Sequence, residues 1–244
     1  MKKIILYLFL SVVTFNISAQ GLDKTYKNFD LALSGRGSGF SPALSFSQLW
    51  GIGKSNRFKI GYVVRVTSYF GGAADFRTAP AKFTSGTSSF AALVADDIIA
   101  NIDTFRVKSF QTNAVNIGIV LQYTLSKKLE VGINIDATGK TWGSTVTGDL
   151  ISTKNKRKFQ DGSTTASSNP ETYNFLLVSD SDIGSLNSEI YARYWATEKI
   201  GIRAGLSFQF VELTTDKKVE INGRVNDTWR YKAVMPMVAI SYKF

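Results

Sequence analysis

The chain contains neither cysteine nor histidine. Without cysteine there is no disulfide, no thiolate metal ligand and no thiol nucleophile. Without histidine, the commonest general base, the commonest metal-binding side chain and the usual partner of a serine nucleophile are missing together. Proline is scarce, at 4 residues in 244. Beyond the first nineteen residues no apolar run approaches the ~20 residues that a membrane-crossing helix needs. These absences remove the familiar hydrolases, the thiol enzymes and the helical membrane proteins. The expectation is a chain that is not an enzyme and carries no cofactor or metal.

What is present is apolar, aromatic and basic. Hydrophobic residues make up 44% and aromatic residues 13%, with 20 glycines, a composition that favours strands. Met1 to Ala19 reads as a secretory signal peptide. Lys2 and Lys3 give the positive start, Ile4 to Phe15 the apolar stretch, and Ala19 a small residue before the cut, although Ile17 stands where a second small residue is usual. No cysteine follows, so lipid attachment there is excluded. Residues 20–244 are then expected to form one domain. Removing Lys2 and Lys3 lowers the formal charge from +10 to +8. On an exported chain such a balance points to an anionic membrane surface rather than to nucleic acid.

Alternation is the strongest local signal. Ile60, Tyr62, Val64, Val66 and Phe70 share one face, and Lys59, Gly61, Arg65, Thr67 and Tyr69 the other. Val115, Ile117, Ile119, Leu121 and Tyr123 alternate with Asn116, Gly118 and Gln122. After the polar turn Ser126-Lys127-Lys128, Leu129, Val131, Ile133 and Ile135 alternate with Glu130, Gly132, Asn134 and Asp136. Ile200 to Phe210 repeats the pattern after a turn at 197–199. Period two with one apolar face is the mark of a strand. Pro42 interrupts the 40–52 run and fits best near a strand end or bulge.

Eight strands are expected, at 29–35, 40–52, 58–70, 113–125, 128–143, 185–196, 199–214 and 231–244. The turns at 54–57, 126–128 and 197–199 on one side are short, and the connections 71–112, 144–184 and 215–230 on the other are long, with Arg36 to Gly39 the short exception. That asymmetry belongs to an eight-stranded antiparallel up-and-down transmembrane β-barrel, whose closure satisfies every backbone hydrogen-bonding group in lipid. Val238, Ile240, Tyr242 and Phe244 alternate to the last residue. This resembles the terminal-strand signal that the barrel-assembly machinery reads, with Tyr242 and Phe244 its carriers. The Phe58 to Gly71 strand, Ala100-Asn101-Ile102-Asp103-Thr104, Gln122-Tyr123-Thr124-Leu125 and Gly132-Ile133-Asn134-Ile135-Asp136-Ala137 resemble the small outer-membrane β-barrel proteins of Bacteroidetes, of the OmpA/OmpX-like type. The resemblance implies a fold and an outer-membrane location; it implies no reaction.

The face turned from lipid carries Asp30 and Lys59 and a candidate charge network of Arg65, Glu130, Asp136, Glu189, Arg193 and Arg203, with Asn116, Gln122, Asn134 and Gln209. The interior of an eight-stranded barrel is just wide enough for side chains to fill it. Glu130 and Asp136 lie on one strand ~20 Å apart, too far for a glycosidase pair. Within the first long connection, Phe90, Val94, Ile98, Ile102 and Phe105 recur at near-helical spacing, so residues 88–105 are expected as an amphipathic helix or lid. Asp96, Asp97 and Asp103 offer oxygen ligands but lack the spacing of a calcium loop. Lys154, Lys156, Arg157 and Lys158 form a basic cluster suited to lipopolysaccharide phosphates or an acidic partner. The expected function is a structural or binding barrel acting through its outer loops on lipid or a protein partner. The alternatives are a passive channel for small or apolar solutes and a soluble secreted β-sandwich.

Overall fold

The structure, a computed structural model, describes residues 22–37, 39–86, 96–177 and 181–244; the expected signal peptide lies outside them. Its strands are β1 (Thr25–Arg36), β2 (Gly39–Ile52), β3 (Phe58–Gly71), β4 (Ala74–Thr78), β5 (Thr104–Val107), β6 (Phe110–Thr124), β7 (Leu129–Gly143), β8 (Val146–Ile151), β9 (Thr165–Pro170), β10 (Tyr173–Phe175), β11 (Leu186–Trp195), β12 (Ile200–Ile221) and β13 (Arg224–Lys243). A single helical turn, α1 (Ala81–Thr84), and a 3-10 turn at Ile99–Asn101 complete the described elements. All thirteen strands join one antiparallel sheet. The expected count of eight is therefore corrected, because five short strands, β4, β5, β8, β9 and β10, occupy the long connections.

Two closed paths run through the sheet. One passes through β1, β2, β3, β6, β7, β11, β12 and β13 and returns to β1. The other passes through β13, β4, β5, β8, β9 and β12, whose outer halves pair again with each other. The long hairpin β12–β13 belongs to both. Closure leaves neither path a free edge over most of its length, which is how a sheet disposes of unpaired backbone groups.

The two paths have opposite polarity. On the first, alternate apolar side chains point outward and stay exposed, Leu31 at 61%, Val238 at 59% and Ile240 at 63% among them. Their neighbours in sequence, Asp30, Ala32, Met237, Ala239 and Ser241, are buried inside. On the second path Phe76, Phe105, Leu150, Ala166, Leu213 and Trp229 turn inward and form a dry core with Phe83 of α1 and Phe159. Asp75, Arg77, Arg106 and Asp149 on the same strands face out. β12 shows the switch within one strand: Ile202, Leu206 and Phe208 are exposed, whereas Val211, Leu213 and Ile221 are buried.

The structure corrects one further expectation. Of the helix expected over 88–105, residues 88–95 lie outside the described residues, and the remainder is not α-helical. Its described part holds the 3-10 turn and β5, because Phe105 and Val107 alternate with Thr104 and Arg106 and pair with β4 and β8. Pro42 sits near the start of β2, as expected, paired with Leu33 of β1. Its missing donor shows on the β3 side, where pairs are formed at Phe40–Phe70 and Ala43–Thr67 but not between them.

Candidate functional site

Alternation places Asp30, Lys59, Arg65, Glu130, Asp136, Glu189, Arg193 and Arg203 inside the first path, all of them buried. Four cations thus meet four anions, none of them more than 5% exposed. Arg193 donates to both carboxylate oxygens of Asp30, at 3.1 and 3.0 Å, and lies 3.5 Å from Glu130. Arg203 bridges Asp30 at 3.5 Å and Glu189 at 3.2 Å. Arg65 bridges Glu189 at 3.4 Å and Asp136 at 3.3 Å. The chain of contacts therefore runs unbroken from Glu130 through Arg193, Asp30, Arg203, Glu189 and Arg65 to Asp136. Each arginine in it has more than one acidic partner, the arrangement that offsets desolvation. Lys59 stands apart at one end, where it donates to Thr124 at 3.1 Å.

Neutral side chains complete the filling. Asn116 donates to Asp136 at 2.8 Å, Asn134 to Glu189 at 2.8 Å, and Ser241 to Asp30. Gln122 donates to the Tyr26 hydroxyl, which donates in turn to Glu130 at 3.1 Å. The Tyr191 ring lies 5.3 Å from the Arg193 guanidinium and 4.7 Å from that of Arg203. Gly132 faces it across the β7–β11 pairing, and a side chain there would meet the Tyr191 ring at 2.6 Å. Glycine is needed for close approach at that point. Tyr26, Leu49, Val63, Val120 and Trp195 pack together at the turn end of the interior.

Sequence reasoning did not assign Tyr26, Tyr191 or Ser241 to the network. Tyr26 and Glu130 are 104 residues apart and meet only because the path closes. Glu130 and Asp136 are each engaged by arginine and do not face one another across an open site.

The outer end carries the basic cluster. Lys154, Lys156 and Lys158 are exposed on the connection between β8 and β9, while Arg157 turns back to Asp103 at 3.0 Å. Asp97 pairs with Arg77 at 2.8 Å. Two of the three aspartates considered for a cation are thus held by arginines, and among the described residues no group of three or more acidic side chains is arranged to hold a metal. Arg106 binds Asp75 through two hydrogen bonds, of 2.6 and 2.8 Å, and holds its carboxyl below the usual carboxylate range. Lys217 does the same to Asp161. Tyr242 and Phe244 point outward at the opposite end, where Phe244 stacks on Phe29 at 5.5 Å.

No family model and no curated protein matches the chain. Among solved structures it is similar to Neisserial surface protein A, at 14% identity over 92% of this chain and 100% of that one, with a TM-score of 0.41. It is similar also to a major outer membrane protein from Thermus thermophilus, at 12% identity over 91% and 100%, with a TM-score of 0.38. A third is the Yersinia pestis outer membrane protein Ail, at 10% identity over 90% and 98%, with a TM-score of 0.34. The likeness is distant in all three.

Proposed function

We propose that this chain is an exported outer-membrane protein in which the first path is an eight-stranded transmembrane barrel, sealed inside, and the second a rigid cap on its outer end. Its role is structural or binding, exercised through the outer surface on lipid or a protein partner, without catalysis. The observation that carries this reading is the reversal of polarity along β12 and β13. A strand whose outward side chains are apolar over one half and polar over the other spans two media. From Ile200 to Phe210 β12 runs 11 residues, ~37 Å at ~3.4 Å per residue. Tilted by about 40°, that spans ~28 Å, close to the ~25 Å apolar band of outer-membrane barrels.

The rest of the assignment comes from the sequence. The leader supports export. The alternating strand that ends in Tyr242 and Phe244 supports handling by the barrel-assembly machinery. Together with the Phe58 to Gly71 strand and the Gly132 to Ala137 stretch it supports the small Bacteroidetes barrel type. The exposed Lys154, Lys156 and Lys158 suit an anionic partner at the outer end, lipopolysaccharide or protein. Nucleic acid is not among the partners of an exported chain.

Heat-modifiable gel mobility of membrane fractions tests the barrel, since a closed barrel resists unfolding in cold detergent. Recovery in the soluble periplasmic fraction, without detergent, favours the β-sandwich instead. The polar interior favours the second reading, a passive channel. Planar-bilayer recording separates the two: the sealed barrel gives no steady conductance, and reproducible open levels establish the channel.

A further inference from the structure

Side chains from three separate segments tie the outer end of the cap together. Asn101, in the 3-10 turn, is buried and donates to the carbonyl of Phe83 in α1 at 2.9 Å. Its side-chain oxygen accepts from Asn222, in the β12–β13 turn, at 2.8 Å. Asn155, in the β8–β9 connection, donates to the carbonyl of Ala100 at 2.7 Å, and Arg157 reaches Asp103 at 3.0 Å. The β8–β9 connection is also closed on itself, since the backbone N–H of Lys156 donates to the Ser152 carbonyl at 2.9 Å. Residues 98–101, 152–157 and 222 therefore form one connected surface.

That surface is both apolar and basic. Ile98 and Ile99 are 42% and 56% exposed, and they stand on the cap, whose strands turn Asp75, Arg77, Arg106 and Asp149 outward. Lys154 and Lys156 flank the Asn155 that holds Ala100, so two cations lie beside the isoleucines. Both are exposed, and among the described residues neither is in an ion pair. Of the acids nearby, Asp97 is engaged by Arg77 and Asp103 by Arg157, which leaves Asp96. Lys158 is the register neighbour of Glu220 across the Phe159–Val219 bridge. The surplus of positive charge therefore rests on Lys154 and Lys156, with Arg224 next to the tied turn.

Height decides what such a surface can meet. From Tyr231, paired with Val211 at the change of polarity, to Arg224 β13 runs seven residues, ~24 Å at ~3.4 Å per residue. At a tilt of about 40° that is ~18 Å along the membrane normal, whereas a headgroup layer is only ~5–7 Å thick. The lysines therefore stand clear of lipid phosphates. A polyanionic glycan would meet the lysines but gains nothing from the isoleucines. We propose that this tip is a docking surface for an acidic segment of another protein, its carboxylates on Lys154 and Lys156 and an apolar side chain on Ile98 and Ile99. The inference rests on the barrel reading and deepens it by choosing protein over lipid as the partner. An apolar centre with a charged rim is the composition of a protein interface, and a surface already tied in place loses little freedom on binding.

The test is fluorescence anisotropy on the full chain in phosphatidylcholine nanodiscs, with three labelled probes: a short peptide of glutamates carrying two leucines, the same peptide without the leucines, and dextran sulfate. Expected is saturable binding of the first, weakened at least about tenfold in K154Q/K156Q, where the complementary charges are lost, and at least about fivefold in I98S/I99S, where the apolar anchor is lost. K128Q/K199Q at the turn end leaves it unchanged. Anionic lipid added to the nanodisc also leaves it unchanged, since the tip lies beyond the ~8 Å screening length at physiological salt. Equal binding of the leucine-free peptide, or tighter binding of dextran sulfate, overturns the proposal in favour of a polyanion site. So does loss of binding on adding anionic lipid, which puts the lysines on the membrane. Heat-modifiable mobility is read on every sample. A closed barrel without saturable binding of the first peptide sinks this inference alone, whereas mobility unaffected by heating sinks the barrel reading beneath it.

Discussion

Replacing Arg193 by methionine decides whether the interior is sealed. The guanidinium donates to Asp30 at 3.1 and 3.0 Å and to Ser241 at 3.0 Å, lies 3.5 Å from Glu130, and is flanked by the rings of Tyr191 and Trp195, each 5.3 Å away. Methionine keeps roughly the length and removes the charge. The four cations and four anions of the interior then become three and four, and Asp30 and Glu130 lose the partner they share. Removing one partner of a buried pair costs about 3–5 kcal/mol. The same pair in an open, water-filled pore would behave as a surface pair, worth about 0–1 kcal/mol. With a urea dependence of about 3 kcal/mol per molar for a chain of this size, the sealed interior predicts a midpoint lower by about 1–1.7 M. Urea titration in lipid vesicles, followed by tryptophan fluorescence and gel mobility, measures it. R193M/D30N removes one charge of each sign and should lose less than the sum of the two single changes, by a coupling of about 1–3 kcal/mol. A midpoint shift under about 0.3 M for R193M, with additive behaviour in the double variant, would refute the sealed interior and return the channel to first place.

Three further outcomes are expected from the same geometry. Arginine in place of Val238, which is 59% exposed near the middle of the apolar band, should cost about 2–4 kcal/mol in vesicles; arginine in place of Val225, exposed on the cap, should stay within about 0.5 kcal/mol, and equal costs would deny that the two faces meet different media. Trp229→Ala removes a ring stacked 5.5 Å from Phe105 and a hydrogen bond to Thr215 at 3.1 Å; it should weaken the cap by about 3–5 kcal/mol, seen as faster proteolysis within 144–184 while heat-modifiable mobility persists. Phe244→Ala removes the stack on Phe29, worth about 0.5–1.5 kcal/mol beyond the buried area, and should lower the folded yield in membranes; an unchanged yield would count against an assembly role for this residue.

The eight long strands were legible because period two is read directly: each expected range overlaps a strand whose alternate residues are exposed apolar and buried polar. The inward charges were legible for the same reason, since parity alone assigns Arg65, Glu189 and Arg203 to one face. Their partners were not, because contacts such as Arg193–Asp30 join residues 163 apart and depend on which strands meet when the path closes. The cap was missed for a local reason. Its strands span only four to six residues, too short to establish a period. Near-helical spacing of Ile98, Ile102 and Phe105 then imitated a helix, although Phe105 belongs with Val107 on a strand facing Phe76.

One signal in the sequence did mark the cap, and it lies in β12. Apolar residues hold the even positions from Ile200 to Phe210, then the odd positions Val211 and Leu213. The strand does not break there, and its pairing with β13 keeps register through Thr214–Thr228. A bulge would have turned the side chains over while keeping each face's chemistry. Here the side chains keep their directions and the chemistry changes; on the proposed reading the outside passes from lipid to water, while the inside passes from ion pairs to an apolar core. Because the same two strands form the wall on both sides of that level, the cap is carried by continuous sheet and has no hinge to the barrel. A solute moving along the axis would have to displace the aromatic core around Trp229 and then part the Arg65, Arg193 and Arg203 network, two barriers in series on one rigid frame. What this construction leaves available is surface: the cap's outer wall and its lysine-bearing end.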